Sequence, residues 1–223
     1  MLNNIYVKKF RKLQNYQDFM AKQLEFHRDV LNKNRLGYFV FLEHEDVYTI
    51  GRFSKIVNDK GLDVFKSTRG GSITYHGPGQ IIFYPIINLR LLGLRLKDFV
   101  DALEDSVLLL LDSFNLIGKK NLYGPGVWID NRKIASIGLA VRRGVTLHGL
   151  SLNLNCSLDK FNLIHPCGNP DVTVGNLDDF VKIEKNKCFN MLAEIFLDQI
   201  KSRVHYLKKK EISLSADSFE SEP

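Results

Sequence analysis

Cysteine is scarce in this 223-residue chain: three residues, at positions 156, 167 and 188. The number is odd, there is no CxxC pair and no knuckle-like spacing, so neither a disulfide framework nor a zinc site built from these thiols and the scattered histidines is expected. Long hydrophobic runs are missing as well. The longest unbroken aliphatic stretch, Val107–Leu111, is far too short to cross a bilayer. The first residues, MLNNIYVKKFRKLQ, contain no apolar block ahead of a small-residue cleavage site, which argues against secretion and leaves a cytoplasmic enzyme as the expectation. Basic clusters are few. The net charge is +6 and the pI near 9.1, yet apart from Lys208-Lys209-Lys210 the cations are dispersed, so the excess reads as a docking surface for an acidic protein rather than for nucleic acid. Internal repeats and clear linkers are also lacking.

What is present is ordinary globular material, 44% hydrophobic and 25% charged, enough to bury a good core. A single domain over residues 1–210 and a polar, acidic, disordered tail over 211–223 are expected. Asn15 is placed to cap a helix whose apolar face runs Tyr16, Phe19, Met20, Leu24, Val30 and Leu31, with His27 a core or boundary residue on it. Gly37–Glu43 and Val47–Ile50 read as strands joined by a solvated turn at His44-Glu45-Asp46. Leu62–Ser67 and Ile81–Leu89 read as strands on either side of a glycine-rich loop. A second amphipathic helix covers about 97–114, presenting Val100, Leu103, Val107, Leu110, Leu111 and Phe114. Gly126–Asp130, Lys133–Val141 and Val145–Asn155 follow with turn chemistry between them and predict an antiparallel meander. A last helix spans about 186–207 with Phe189, Leu192, Ile195, Phe196 and Ile200 inward.

Three places carry chemistry. The loop Arg69–Gln80, RGGSITYHGPGQ, packs four glycines and a proline around one histidine at the entrance to a strand. Glycine lets a backbone approach a ligand closely, and Arg69, Thr74 and His76 supply polar groups beside it; a hairpin with no ligand is the plain alternative. Cys167 lies in Ile164-His165-Pro166-Cys167-Gly168, where proline before and glycine after favour a sharp turn that exposes the sulfur, although most cysteines are buried and inert, as Cys156 in LNLNCSL is expected to be. In Lys133-Ile134-Ala135-Ser136-Ile137-Gly138, strand alternation puts Lys133 beside Ala135 and Ile137, odd company for an ammonium unless that end opens on a cleft; a hairpin shoulder with its head in water is the other reading. His76, His148 and His165 are rival bases that periodicity does not rank.

Together the RGGSITYHGPGQ loop with Tyr84-Pro85, the segment RKIASIG, the stretch Leu147–Asn153 and Pro166-Cys167-Gly168 resemble the octanoyl-[acyl-carrier-protein]:protein N-octanoyltransferases of lipoate biosynthesis. The resemblance implies an α+β fold with a mixed sheet, packed helices and a smaller sheet, similar to the biotin- and lipoate-protein ligase catalytic domain. It implies octanoyl-acyl carrier protein as donor and lipoyl domains of 2-oxoacid dehydrogenase complexes and of glycine-cleavage H protein as acceptors, with no ATP, metal, nucleic acid or membrane. By the same match Cys167 is the acyl-carrying nucleophile and Lys133 its activating partner. Arg69, Gly70, Gly71, Ser72, Ile73, Thr74, Tyr75 and His76, with Ser136, Ile137, Gly138, Gly149, Leu150 and Ser151, match segments lining the acyl site. Three alternatives remain: an ATP-dependent ligase of the same fold, a non-catalytic carrier-protein binding module and, least favoured because His165 lies so near Cys167 in sequence, a cysteine hydrolase.

Overall fold

The computed structural model describes residues 5–33, 35–52, 62–120, 124–164 and 172–217, with side chains described up to Leu207. Among these residues the large sheet has eight strands. β1 (Ile5–Lys9), β2 (Gly37–Leu42), β6 (Gln80–Ile87), β10 (Val145–Asn153), β9 (Arg132–Arg142), β8 (Gly126–Ile129) and β7 (Gly118–Lys119) lie side by side in that order, and β11 (Thr173–Val174) pairs with β9. The β1–β2 and β11–β9 pairs are parallel and the others antiparallel, so the sheet is mixed. A smaller sheet holds β4 (Val64–Lys66), β3 (Val47–Ile50) and β5 (Ile73–His76). The α+β architecture expected from the sequence is present, including the β8–β9–β10 meander.

The central strands are apolar on both faces because both faces are covered. From β2 and β6, Phe39, Phe41, Ile81 and Phe83 point into one core with α3 (Leu96–Asp112) and α4 (Lys185–Asp217). The alternate residues Tyr38, Val40, Leu42, Ile82, Tyr84 and Ile86 meet α1 (Tyr16–Asn32) on the other face. Phe196 of α4 stands among the rings of Phe39, Phe83 and Phe99 at centroid distances of 5.3–5.4 Å. Cys188, at the start of α4, is buried in the same core. A short helix, α2 (Leu89–Leu92), follows β6 and is capped by Asn88. No helix among the described residues is long and apolar enough to cross a membrane.

Asn15 caps α1 as expected, its side-chain oxygen accepting from the Gln17 and Asp18 N–H groups. The inward face of α1 is more polar than the apolar pattern predicts: Gln23 and His27 are buried while Leu24 is 39% exposed. Both polar residues reach the β9–β10 hairpin, where Gln23 Oε1 accepts the His148 backbone N–H at 2.8 Å and His27 Nε2 donates to the Arg142 carbonyl at 2.9 Å.

Three further expectations need correction. β2 and β3 belong to different sheets, and the turn between them is solvated only in part: Glu45 and Asp46 are exposed as expected, but His44 is fully buried, and Asp46 accepts from the Tyr75 hydroxyl at 2.6 Å. The glycine-rich stretch is not one loop, because Ile73–His76 forms β5, antiparallel to β3. The C-terminal helix, expected over about 186–207, runs from Lys185 to Asp217.

Candidate functional site

A cavity of about 150 Å³ lies between the large sheet, the small sheet and the start of α1. Its floor is the face of the large sheet that α1 also covers. Ile82 and Tyr84 of β6, Gly149 and Ser151 of β10, and Ser136 and Gly138 of β9 lie in adjacent registers there. At Gly149 a Cβ would come within 2.2 Å of the Phe83 carbonyl oxygen, so only glycine lets β10 lie this close to β6. The opposite wall is the stretch Arg69–Thr74, with His76. That wall is pinned to β9 by a hydrogen bond from the Gly70 N–H to the Leu139 carbonyl at 2.8 Å. Arg69 is buried and grips β3, donating to the Thr49 carbonyl at 2.8 Å and to Thr49 Oγ1 at 2.9 Å.

Lys133 reaches the cavity from the second residue of β9, and a bulge explains how. Register with β8 slips between Val127 and Trp128, so that Val127 opposes Ala135 while Trp128 opposes Lys133. The strict alternation expected for Lys133, Ala135 and Ile137 is therefore broken: Ala135 joins Ile134 in the helix-side core, and Lys133 shares the cavity with Ser136 and Gly138. Lys133 is 2% exposed, which excludes the water-exposed hairpin shoulder. Its Nζ donates to the Pro125 carbonyl at 3.3 Å and lies 4.5 Å from the centre of the Trp128 ring.

The deep side of the cavity is a cluster of rings. Tyr16, His76, Tyr84 and His148 line it, and His44 packs behind them. His44 Nδ1 donates to the Gln14 carbonyl, which leaves Nε2 to accept from the Tyr84 hydroxyl at 2.9 Å. A chain of amides fixes His76. Asn153 Nδ2 donates to the Gly175 carbonyl at 3.1 Å, Asn153 Oδ1 accepts from Gln80 Nε2 at 2.8 Å, and Gln80 Oε1 accepts from His76 Nδ1 at 2.6 Å. His148 adopts φ +60 within a strand, a conformation costing a non-glycine residue roughly 1–2 kcal/mol. It is held there by Gln23 and by Thr68, whose Oγ1 is 2.8 Å from His148 Nε2. Burial lowers the pKa of His44 to about 4 and those of His76 and His148 to about 3, so all three rings are neutral near pH 7.

Of the residues singled out from the sequence, Arg69–Thr74, His76, Lys133, Ser136–Gly138 and Gly149–Ser151 converge on this one cavity. Tyr75 does not: alternation along β5 turns its ring into a satellite core with Cys156, Phe161 and Ile164. Cys167 and Gly168, with His165, lie outside the described residues. The segments flanking them are described. Ile164 packs in the satellite core, and Val174 pairs with Lys133 itself, the Gly175 N–H donating to the Lys133 carbonyl at 3.1 Å. Sequence reasoning missed Tyr16, Ile82, Tyr84, Gly124 and Pro125 in the lining and did not rank His148. Tyr16 read only as part of the apolar face of a helix and Ile82 only as part of a strand, and Gly124 and Pro125, which also line the cavity, belong to no motif of their own.

The other two thiols are structural. Cys156 is buried, exchanges hydrogen bonds with Asn176, and has its pKa pushed up to about 12 by burial; Cys188 is raised to about 12 for the same reason. Neither forms thiolate readily near neutral pH. Among the described residues no three His, Cys, Asp or Glu side chains group as a metal site.

Residues 15–201 match the family model of the lipoyl protein ligase A/B catalytic domain. The chain is 35% identical over 198 residues to the octanoyltransferase of Haemophilus influenzae, covering 87% of this chain and 93% of that one. Its fold is similar to that of a bi-partite lipoate protein ligase of Thermoplasma acidophilum, with a TM-score of 0.61 at 17% identity over 88% and 84% of the two chains. The biotin protein ligase of Aquifex aeolicus is similar at a TM-score of 0.52, 11% identity, and 92% and 72% coverage. The chain therefore belongs to the lipoyl protein ligase A/B catalytic-domain family and, within it, to the octanoyltransferases, an acyltransferase group.

Proposed function

We propose that the protein moves an octanoyl group from octanoyl-acyl carrier protein to a lysine of lipoyl domains, through a thioester on Cys167 and without nucleotide or metal. The observation that carries this reading is Lys133, a buried amine-bearing side chain at the wall of a cavity roofed by the glycine-rich stretch. The identity to octanoyltransferases supports the acyl group and the acceptor. The inertness of Cys156 and Cys188 leaves Cys167 as the thiol suited to attack.

In the first step Lys133 takes the Cys167 proton, and the thiolate adds to the thioester carbonyl of the donor. Backbone N–H groups, that of Gly168 among them, stabilise the oxyanion. The phosphopantetheine thiolate then leaves with a proton returned by Lys133. One thioester replaces another, so no ATP is needed to drive the exchange. In the second step the lysine amine of the lipoyl domain attacks the acyl-enzyme, the new C–N bond forms as the C–S bond breaks, and Lys133 receives the amine's proton. Formation of an amide from a thioester makes the transfer downhill. The three neutral histidines suit this division of labour: imidazoles that protonate only near pH 3–4 are weak bases at pH 7, and they serve as fixed hydrogen-bonding walls.

The acyl chain is received by Ile73, Ile82, Ile137 and Leu150 with the faces of Tyr16 and Tyr84. Burying about six methylenes at ~0.8 kcal/mol each stabilises the complex by at most ~5 kcal/mol. Transfer of octanoyl from carrier protein to an apo lipoyl domain, assayed by mass spectrometry with nucleotide omitted, tests the reading. Transfer at full rate is expected; an absolute requirement for ATP with octanoate as donor overturns it in favour of a ligase.

A further inference from the structure

Glu104 is a carboxylate in the wrong place for solubility. It stands in the middle of α3 among Phe99, Ala102, Leu103 and Val107, and is 7% exposed. A buried carboxylate is costly unless its oxygens are used. Its Oε1 accepts the Gly126 backbone N–H at 2.9 Å, and its Oε2 lies 3.4 Å from Lys120 Nζ, which also pairs with Asp105 at 2.7 Å.

The far side of the anchored backbone is the Lys133 side chain. Gly126 has φ +152, and a Cβ there would fall 2.6 Å from Lys133 Cε, 3.1 Å from its Nζ and 2.3 Å from the Ala135 carbonyl oxygen. The preceding carbonyl, Pro125, accepts from Lys133 Nζ at 3.3 Å and from the Ile137 N–H at 3.3 Å. The Pro125–Gly126 backbone is thus a thin saddle, with Glu104 on one side and the lysine on the other, and Pro125 itself lines the cavity.

We propose that Glu104 is a positioning residue for Lys133: by anchoring the Gly126 N–H it holds the Pro125–Gly126 backbone against the lysine stem and sets where Nζ stands in the cavity. This rests on the proton-transfer role given to Lys133 above. A displacement of about 1 Å in a reacting group costs on the order of 100-fold in rate. Glu104→Ala is therefore expected to slow octanoylation of the enzyme by about 10- to 100-fold at saturating carrier protein, with KM for the carrier nearly unchanged. Glu104→Gln, whose amide oxygen still accepts the Gly126 N–H, is expected to recover the rate to within about threefold.

The decisive readout is a double-mutant cycle with Lys133→Ala. If Glu104 acts through Lys133, adding Glu104→Ala to Lys133→Ala slows the reaction by less than about twofold further. A residue that only supports the fold multiplies the two losses, and that result overturns the proposal, as does a Glu104→Ala variant at the parent rate or a Glu104→Gln variant as slow as Glu104→Ala. Glu104→Leu, which fills the volume and accepts no hydrogen bond, takes the place of Glu104→Ala if the latter does not fold. Lys133→Ala at the parent rate would instead remove the Lys133 assignment itself.

Discussion

At the residue scale, the proposed chemistry gives proton transfer to Lys133 and leaves the neutral histidines as hydrogen-bonding walls. With Lys133→Ala the cavity keeps its walls but loses the group proposed to carry the proton, so both acylation and transfer are expected to fall by about 100-fold or more, the range typical of a lost general base. Lys133→Arg is expected to give no rescue, because a guanidinium stays charged and cannot accept the proton. Single-turnover rates for the two half-reactions check this, and normal turnover by either variant rejects the role. The sequence marked Lys133 because strand alternation places it beside Ala135 and Ile137, odd company for an ammonium. The oddity was real, but its resolution, a bulge against Trp128, is a property of strand pairing that local periodicity does not contain. Glu104 was invisible for a related reason: its partner is a backbone N–H twenty-two residues away.

Among the elements, the cavity depends on a sheet held rigid from behind. Phe196 joins α4 to β2, β6 and α3 through three ring contacts in a fully buried position. Phe196→Ala is expected to cost about 3–5 kcal/mol, read as a shift in the urea midpoint with unchanged slope; a loss below about 1 kcal/mol would mean that α4 is not part of the core. The long helices and the meander were legible because their apolar periods are strong and their caps and turns local. The small sheet was legible only in part: β3 and β4 fall within the expected strands Val47–Ile50 and Leu62–Ser67, but β5 was not foreseen. β3, β4 and β5 have three or four residues each, and β5 is embedded in a glycine-rich stretch whose composition signals only a loop. Its pairing with β3 is what folds Arg69–Thr74 over the large sheet, so the most informative stretch of sequence was also the one whose shape was least legible.

For the molecule as a whole, burying three imidazoles ties stability to pH. The folded values of about 4, 3 and 3 lie below the ordinary 6.5, so between pH 6.5 and about 4 the unfolded chain binds protons that the native chain does not. The sign is then fixed: stability rises with pH across this window and is lost as pH falls, each group contributing up to ~1.4 kcal/mol per pH unit. Calorimetric unfolding at pH 5.5 in buffers of different ionisation enthalpy is expected to show uptake of about two to three protons. Uptake below about one proton would place these rings in contact with water in the native state.

The central claim is that an octanoyl group rests on Cys167 between two protein partners. Its most direct test is the intact mass and peptide map of the enzyme after a brief incubation with octanoyl-carrier protein alone, followed by addition of apo lipoyl domain. The account predicts a single thiol-labile octanoyl adduct on Cys167, formed without nucleotide and transferred to the lipoyl lysine as the enzyme returns to its original mass. An adduct on Cys156 or Cys188, or complete transfer by Cys167→Ala, would contradict it.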